Sequence, residues 1–298
     1  MSDESAGPTG STVPRRQLGR YLTELRERAG LTAKAAAKEL ERSTATLWRI
    51  ESGKTSTRSH EVELMCRVYE APPDLTKALT ALAKETKARG WWHAYGDVIP
   101  EGFDLYIGLE EAASQLDVYE TTLVPGLLQT GEYAHQIIAA GHSDRDPAEI
   151  ERRVQLRVKR RSLITRVINP PALSVVLYEA VLRCPVGGRK TMAGQLRHLV
   201  DVSRLPNATV RVVPFAAGLH EGVMSGQFTI LRFPTVGGGK TAEPPTVFAD
   251  GYTGDLYLDR PSEVEQYDMA FRNISSMALS EEDSRRLILE TAGQYEQG

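Results

Sequence analysis

The sequence predicts an α+β protein in two parts, an all-helical N-terminal head and a mixed α+β domain after it. Three observations carry this. Apolar side chains recur at helical spacing from Gln17 to about Gly90. β-Branched and aromatic runs bounded by Gly and Pro crowd the stretch after Ala172. Charge is split the same way: residues 14–60 hold eleven basic and five acidic side chains, whereas residues 61–298 sum to −7. The 298 residues leave room for two modest domains.

The elements follow in order. Residues 1–13 are rich in Ser, Gly, Thr and Pro, and read as a flexible tail. Leu18, Leu22, Leu25 and Ala29 share one helical face, closed by Gly30. Thr32 caps a second helix, TAKAAAKEL, whose Ala33, Ala36 and Ala37 permit close packing. Ser43 caps a third, with Leu47 and Ile50 inward and Gly53 at its end. A fourth starts near Ser59 and buries Val62, Met65, Cys66 and Tyr69. A fifth follows Pro72 and Pro73 and ends near Gly90. The head is thus residues 14–90. A linker, 91–103, carries Trp91, Trp92 and Tyr95, and the second domain is 104–298. There the periodicity predicts a helix over 104–120, a turn at VPGLLQT, a helix through Ile138 and a long basic helix over 147–167. LSVVLY, ATVRVVPF, QFTILRF and PTVFA read as strands, with helices at 190–203, 261–279 and 280–292.

Composition narrows the function. An apolar fraction of 41% and a charged fraction of 25% fit a globular protein and exclude a collagen-like or wholly disordered chain. No apolar run approaches the roughly 20 residues that span a bilayer. MSDESAGPTGSTVPRR has no apolar core, so a secretory signal is not expected. The two cysteines, Cys66 and Cys184, fit a reducing compartment. A cytoplasmic protein without membrane contact is expected. CxxC and HxxxH are absent, and His60, His93, His135, His142, His198 and His220 show no ligand spacing. Neither a metal nor a cofactor is expected.

The stretch LTAKAAAKELERSTATLWRIESGKTS resembles the Xre/lambda-repressor-like helix-turn-helix family over about residues 15–72. In such a module Ala36 and Ala37 let the second helix lie close to the third, which projects into a major groove ~12 Å wide. The resemblance implies that Thr44, Ala45, Trp48 and Arg49 face base edges or the adjacent backbone. Arg49 would read guanine, Thr46 would meet a phosphate, and Lys54, Thr55 and Ser56 would run beside the backbone. Ala33 stands where the family often has Gln, which removes one phosphate contact. The resemblance also implies an ion pair between Arg26 and Glu51; the alternative is that both are solvated. A basic head on an acidic body favours double-stranded DNA as partner over a module used only for protein contact.

Other signals weigh less. VGGGKT at 236–241 lacks the glycine of a phosphate loop, since Pro234 occupies its place, and Pro244 and Pro245 forbid the following helix. It reads as a hairpin loop. CPVGGRKT fails because Arg189 precedes Lys190, and GVMSG places Ser225 one position late for a nucleophile elbow. No pair of carboxylates stands out as acid and base; turn chemistry accounts for Asp250, Asp255 and Asp259. No enzyme is expected. Seven cations in ERRVQLRVKRRSLITR suit either a second DNA contact, a site for an acidic partner, or a helix whose arginines pair within an acidic body.

LEEAASQLDVYETTLVPGLLQTGEYA, LYEAVLRCPVGG, QLRHLVDVSRLPNATVRVVPFAAGLH and GQFTILRFP are similar to the C-terminal domain of actinobacterial WhiJ-type regulators, over about residues 100–290. Asp250 departs from that pattern, where an acid after Tyr-Val is commoner. The resemblance implies a transcription regulator, by default a homodimer on a roughly palindromic operator, often encoded beside a small partner protein. The C-terminal domain would then sense a small ligand or that partner. Tyr178, Glu179, Arg183, His220 and Phe228 are candidate pocket residues. An antitoxin-like interaction component, acting mainly through a small partner protein, is the alternative; an enzyme with a DNA-targeting head is a third reading.

Overall fold

The structure, a computed structural model, describes residues 12–86, 91–100, 103–141, 146–236, 240–241, 243–251 and 254–297. Residues 1–11 of the expected tail, Gly90, His142 and Gly237–Gly239 of the VGGGKT loop lie outside the described residues. The chain divides into two compact units, Met1–Ala112 with Thr235–Glu243, and Ala113–Pro234 with Pro244–Gly298. The architecture is α+β.

The first unit is helical. Helix α1 spans Thr12–Arg28, α2 Ala33–Glu39, α3 Thr44–Glu51, α4 Ser59–Val68 and α5 Pro73–Glu85. Thr32 Oγ1 caps α2 by accepting from Ala35 N, and Ser43 Oγ caps α3 by accepting from Thr46 N. The inward faces of all five meet in one core: Leu18, Leu22 and Leu25 from α1, Ala36 and Ala37 from α2, Leu47 and Ile50 from α3, then Val62, Met65 and Leu79. The turn between α2 and α3 carries Glu41 at φ 52°, with Arg42 N donating to Ala37 O at 2.8 Å. A left-handed non-glycine residue there escapes a search for Gly breakers.

The aromatic cluster expected in a linker is structured. Trp91–Tyr95 forms a 3-10 turn, Trp92 is buried, and Trp91 Nε1 donates to Glu111 Oε2 at 3.2 Å. The buried Trp92 ring and the Trp91 hydrogen bond to Glu111 anchor this stretch beside α6, Phe103–Ala112, and both group with the first unit. The division therefore falls after Ala112, later than the expected junction.

The second unit is built on a six-stranded mixed sheet. Its strands are β1 Gln115–Glu120, β2 Ala172–Tyr178, β3 Ala208–Val213, β4 Phe228–Arg232, β7 Thr246–Ala249 and β8 Leu256–Leu258, in the order β3-β2-β1-β4-β7-β8. Between β4 and β7 the chain forms a hairpin, β5 Thr235–Val236 and β6 Lys240–Thr241, which groups with the first unit. Strands β1, β2 and β3 run parallel; β4, β7 and β8 pair antiparallel with their neighbours. The expected helix over 104–120 is corrected here: it stops at Ala112, and 115–120 is the central strand β1. Pairing on both sides, Val118 against Val175 and Thr229, outweighs the helical spacing of Leu105, Leu109 and Leu116.

The intervening helices are α7 Gly131–Gly141, α8 Pro147–Arg160, α9 Ser162–Thr165, α10 Ala180–Arg183, α11 Arg189–Val202, α12 Glu221–Ser225, α13 Pro261–Met277 and α14 Glu281–Gln297. The long basic helix expected over 147–167 is broken at Arg161 into α8 and α9. Val264, Ala270 and Ile274 of α13 pack on Tyr119, Val176, Phe228, Ile230 and Val247. Among the described residues no helix is long and apolar enough to cross a membrane.

Candidate nucleic-acid interface

Helix α3 has two faces of opposite character. Leu47 and Ile50 are sealed in the core. Thr44, Ala45 and Arg49 are exposed on the other side, and Trp48 is 55% exposed. The Trp48 indole is the most exposed large apolar side chain among the described residues of the bundle. The Lys54 ammonium sits 4.4 Å from the centroid of the Trp48 ring, a cation–π contact that holds the lysine beside the helix. Arg49 has no side-chain partner among the described residues. The loop is tied to α3 by its backbone: Lys54 N and Thr55 N both donate to Arg49 O, at 2.9 and 3.2 Å. Thr55 and Ser56 are half-buried in that loop. The hydroxyl of the half-buried Thr46 shares a 2.8 Å hydrogen bond with Ser43 Oγ beside the cap.

Three devices fix the direction in which α3 projects. Arg26 Nε and Nη2 donate to the two carboxylate oxygens of Glu51 at 2.7 and 3.1 Å, and Arg26 Nη1 donates to Leu31 O at 2.9 Å. The fork thereby ties α1 to the end of α3 and to the turn before α2. Its hydrogen bond to Glu51 raises the guanidinium above its already high ordinary pKa, against the effect of burial. Gly19 lets the helices touch, since a Cβ there would stand 2.3 Å from the Glu51 carbonyl oxygen. Gly53, at φ +70°, brings the turn after α3 within 2.7 Å of the Arg16 Cα by the same measure.

Arg16 belongs to a second arrangement that sequence reasoning missed. Glu243, fully buried, stands 3.3 Å from Arg16 Nε and accepts from Arg20 Nη2 at 3.0 Å. An acid 223 residues from its arginine leaves no local signal. Gly19 did leave one: an isolated glycine inside a helical pattern often marks a close approach.

In the second unit the five residues proposed for a pocket do come together, but as packed structure. Glu179 accepts from Arg183 Nε at 3.1 Å and from Phe215 N at 2.8 Å, and Arg183 Nη1 donates to Gln294 at 2.9 Å. Tyr178 packs against His220 with ring centroids 5.4 Å apart, and Phe228 packs edge-on against Tyr267 at 4.9 Å. His220 Nε2 and the Tyr119 hydroxyl share a 3.0 Å hydrogen bond. The polar atoms of Glu179, Arg183 and His220 thus have partners in the protein, and a cleft of about 340 Å³ elsewhere in this unit is lined by other residues. Nearby in topology, Glu120 ends β1 and Asp250 follows β7 at the same end of the sheet. Burial, then the Asp250 charge, push the Glu120 carboxyl up to about 8, with Arg157 opposing; burial and Asp250 push Asp255 to about 6. The turn reading of the aspartates left Glu120 out. Among the described residues no group of three or more His, Cys, Asp or Glu is placed to hold a metal.

Two short helices joined by a tight turn, the second seated by its apolar side with its polar side in solvent, form the arrangement of a helix-turn-helix DNA-binding domain, which fits a DNA-binding regulator. Comparison with protein families matches residues 17–79 to a helix-turn-helix domain. Residues 103–290 match a domain of unknown function, DUF5753, and the chain belongs to that family. Comparison with curated proteins and with solved structures found no match.

Proposed function

We propose that this protein is a sequence-specific transcription regulator of the WhiJ type, acting in the cytoplasm as a homodimer on a near-palindromic operator. Helix α3 enters the major groove. Arg49 reads a guanine edge, Thr44 donates to a base, Ala45 meets a thymine methyl, and Trp48 covers the adjacent backbone. Lys54 neutralises a phosphate, with Thr55 and Ser56 alongside it. The second unit responds to an effector, a small ligand or a small partner protein, which acts through different affinities for DNA-competent and DNA-incompetent states. The protein carries out no catalysis.

The observation that supports this reading best is the outward face of α3, where Arg49 is exposed and unpaired among the described residues and Lys54 is held over Trp48. The decisive experiment maps the protein across its own genome and repeats the measurement with Arg49→Ala. Discrete sites lost in the variant are expected. Occupancy that is diffuse, or unchanged by the substitution, overturns the reading.

A further inference from the structure

The cleft of about 340 Å³ in the second unit runs between α8, α9 and α11. Val158, Val202 and Leu205 give it an apolar wall; Arg161, His198 and Asp201 supply its charged and polar groups. That volume and mixture suit a small organic ligand. Two groups in it lack a protein partner. The His198 ring lines the cleft, with its Nε2 buried and without a hydrogen bond. Arg161 has no side-chain hydrogen bond or ion pair among the described residues, in contrast to Arg153 and Arg157 on the same basic segment. Asp201 is matched by Arg204 at 3.2 Å, so the unmatched charge of the cleft is positive. The imidazole is held toward its neutral form by burial and by the Arg161 charge, with Asp201 opposing, so the cation facing a ligand is Arg161.

We propose that this cleft binds a small organic carboxylate. The carboxylate accepts from the Arg161 guanidinium, its apolar body lies on Val158, Val202 and Leu205, and the His198 ring borders it. A bare inorganic anion would leave that wall unused, and a neutral ligand would leave the Arg161 charge unmatched. The inference rests on the ligand-responsive part of the function proposed above and names the chemistry of its effector.

The test uses the full-length protein without DNA, with 1-naphthoate as the probe and 1-naphthamide and inorganic phosphate as comparisons. Binding is followed by the His198 ring signals in NMR. Saturable shifts with naphthoate are expected, with naphthamide and phosphate each weaker by at least about tenfold, the loss of one charged hydrogen bond or of the apolar contact. Arg161→Gln should weaken naphthoate by a similar factor and leave naphthamide unchanged. Arg161→Lys should restore part of the affinity. Val202→Trp should fill the cleft and abolish binding without altering any charge, its thermal melt reporting that the fold is kept. No shift with naphthoate, equal binding of the amide, phosphate binding as tightly, or full affinity in Arg161→Gln each overturns the proposal. A mobility shift on upstream DNA, run without naphthoate, reports DNA binding separately, so failure here and failure there are told apart.

Discussion

The chain has two strongly basic stretches, and they end differently. Around α3, Arg49 and Lys54 point outward, one without a partner among the described residues and the other resting on an exposed indole. Along α8 the arginines turn inward. Arg153 donates to Glu149 at 2.9 Å, Arg157 donates to Gln129 Oε1 at 3.0 Å, and Arg160 is buried. Equal charge in a sequence therefore does not mean equal availability to a phosphate backbone. The acids and amides around a helix decide whether its cations form structure or surface. Of the three readings open for the basic run, internal pairing fits Arg153 and Arg157, and Arg161 is the exception that faces a cleft.

The largest effect expected concerns how α3 is held. Arg26→Ala leaves Glu51 without its fork in a site where both side chains are 10% exposed, and should cost about 3–5 kcal/mol in urea unfolding. Replacing both partners with apolar residues of similar volume should cost much less. If the two changes cost the same, the pair is not what seats the helix.

Next, Arg49→Ala should weaken operator binding by about 1–3 kcal/mol and relax preference at one base pair. Arg157→Gln should lower the melting temperature and leave operator affinity nearly unchanged. A mobility-shift series with matched thermal melts checks both, and an Arg157 variant that loses affinity without losing stability would erase the contrast. Lys54→Ala should reduce the slope of log affinity against log salt by about one unit.

A milder effect is expected at Glu120, which is half-buried and partly screened by water. Its folded pKa of about 8 lies above its ordinary value. Unfolding therefore releases a proton between pH ~4.5 and ~8, and stability falls as pH rises through that window. Glu120→Gln should flatten the slope of melting temperature against pH there, while Asp255, pushed up to about 6, leaves a smaller slope in the lower part. An unchanged profile would show that the carboxyl titrates normally. Smallest, Glu41→Gly should stabilise the turn before α3 by about 1 kcal/mol, since a side chain at φ 52° is strained. Chemical denaturation reads that gain, and a loss would mean the side chain has a partner that matters more than the strain.

The helical head was largely legible. Leu18, Leu22 and Leu25 at spacings of four and three, Thr32 and Ser43 as caps, and the resemblance over 15–72 led to helices whose inward faces are the ones named. The second domain was legible where strands are rich in β-branched residues, as in β2 and β3. It was misread at β1, where QLDVYE has no such run and is made a strand by its two neighbours. For the site, the outward residues of α3 could be named in advance. That the Thr46 hydroxyl bonds Ser43, that Glu120 stands at the same sheet end as Asp250, and that Glu243 holds Arg16 and Arg20 could not.

What this sequence determined by itself is whatever depends on residues within a turn or two of one another: helix starts and stops, which face of α3 is apolar, and the positive balance of the head. Those follow from capping, periodicity and counting, all local properties. What only the tertiary structure decided is the pairing of distant groups, because a charge far along the chain is brought near by the fold and not by spacing. Whether a given arginine is free to meet DNA, locked to a carboxylate or turned toward a cleft is set at that level, where burial fixes the energy of the charge.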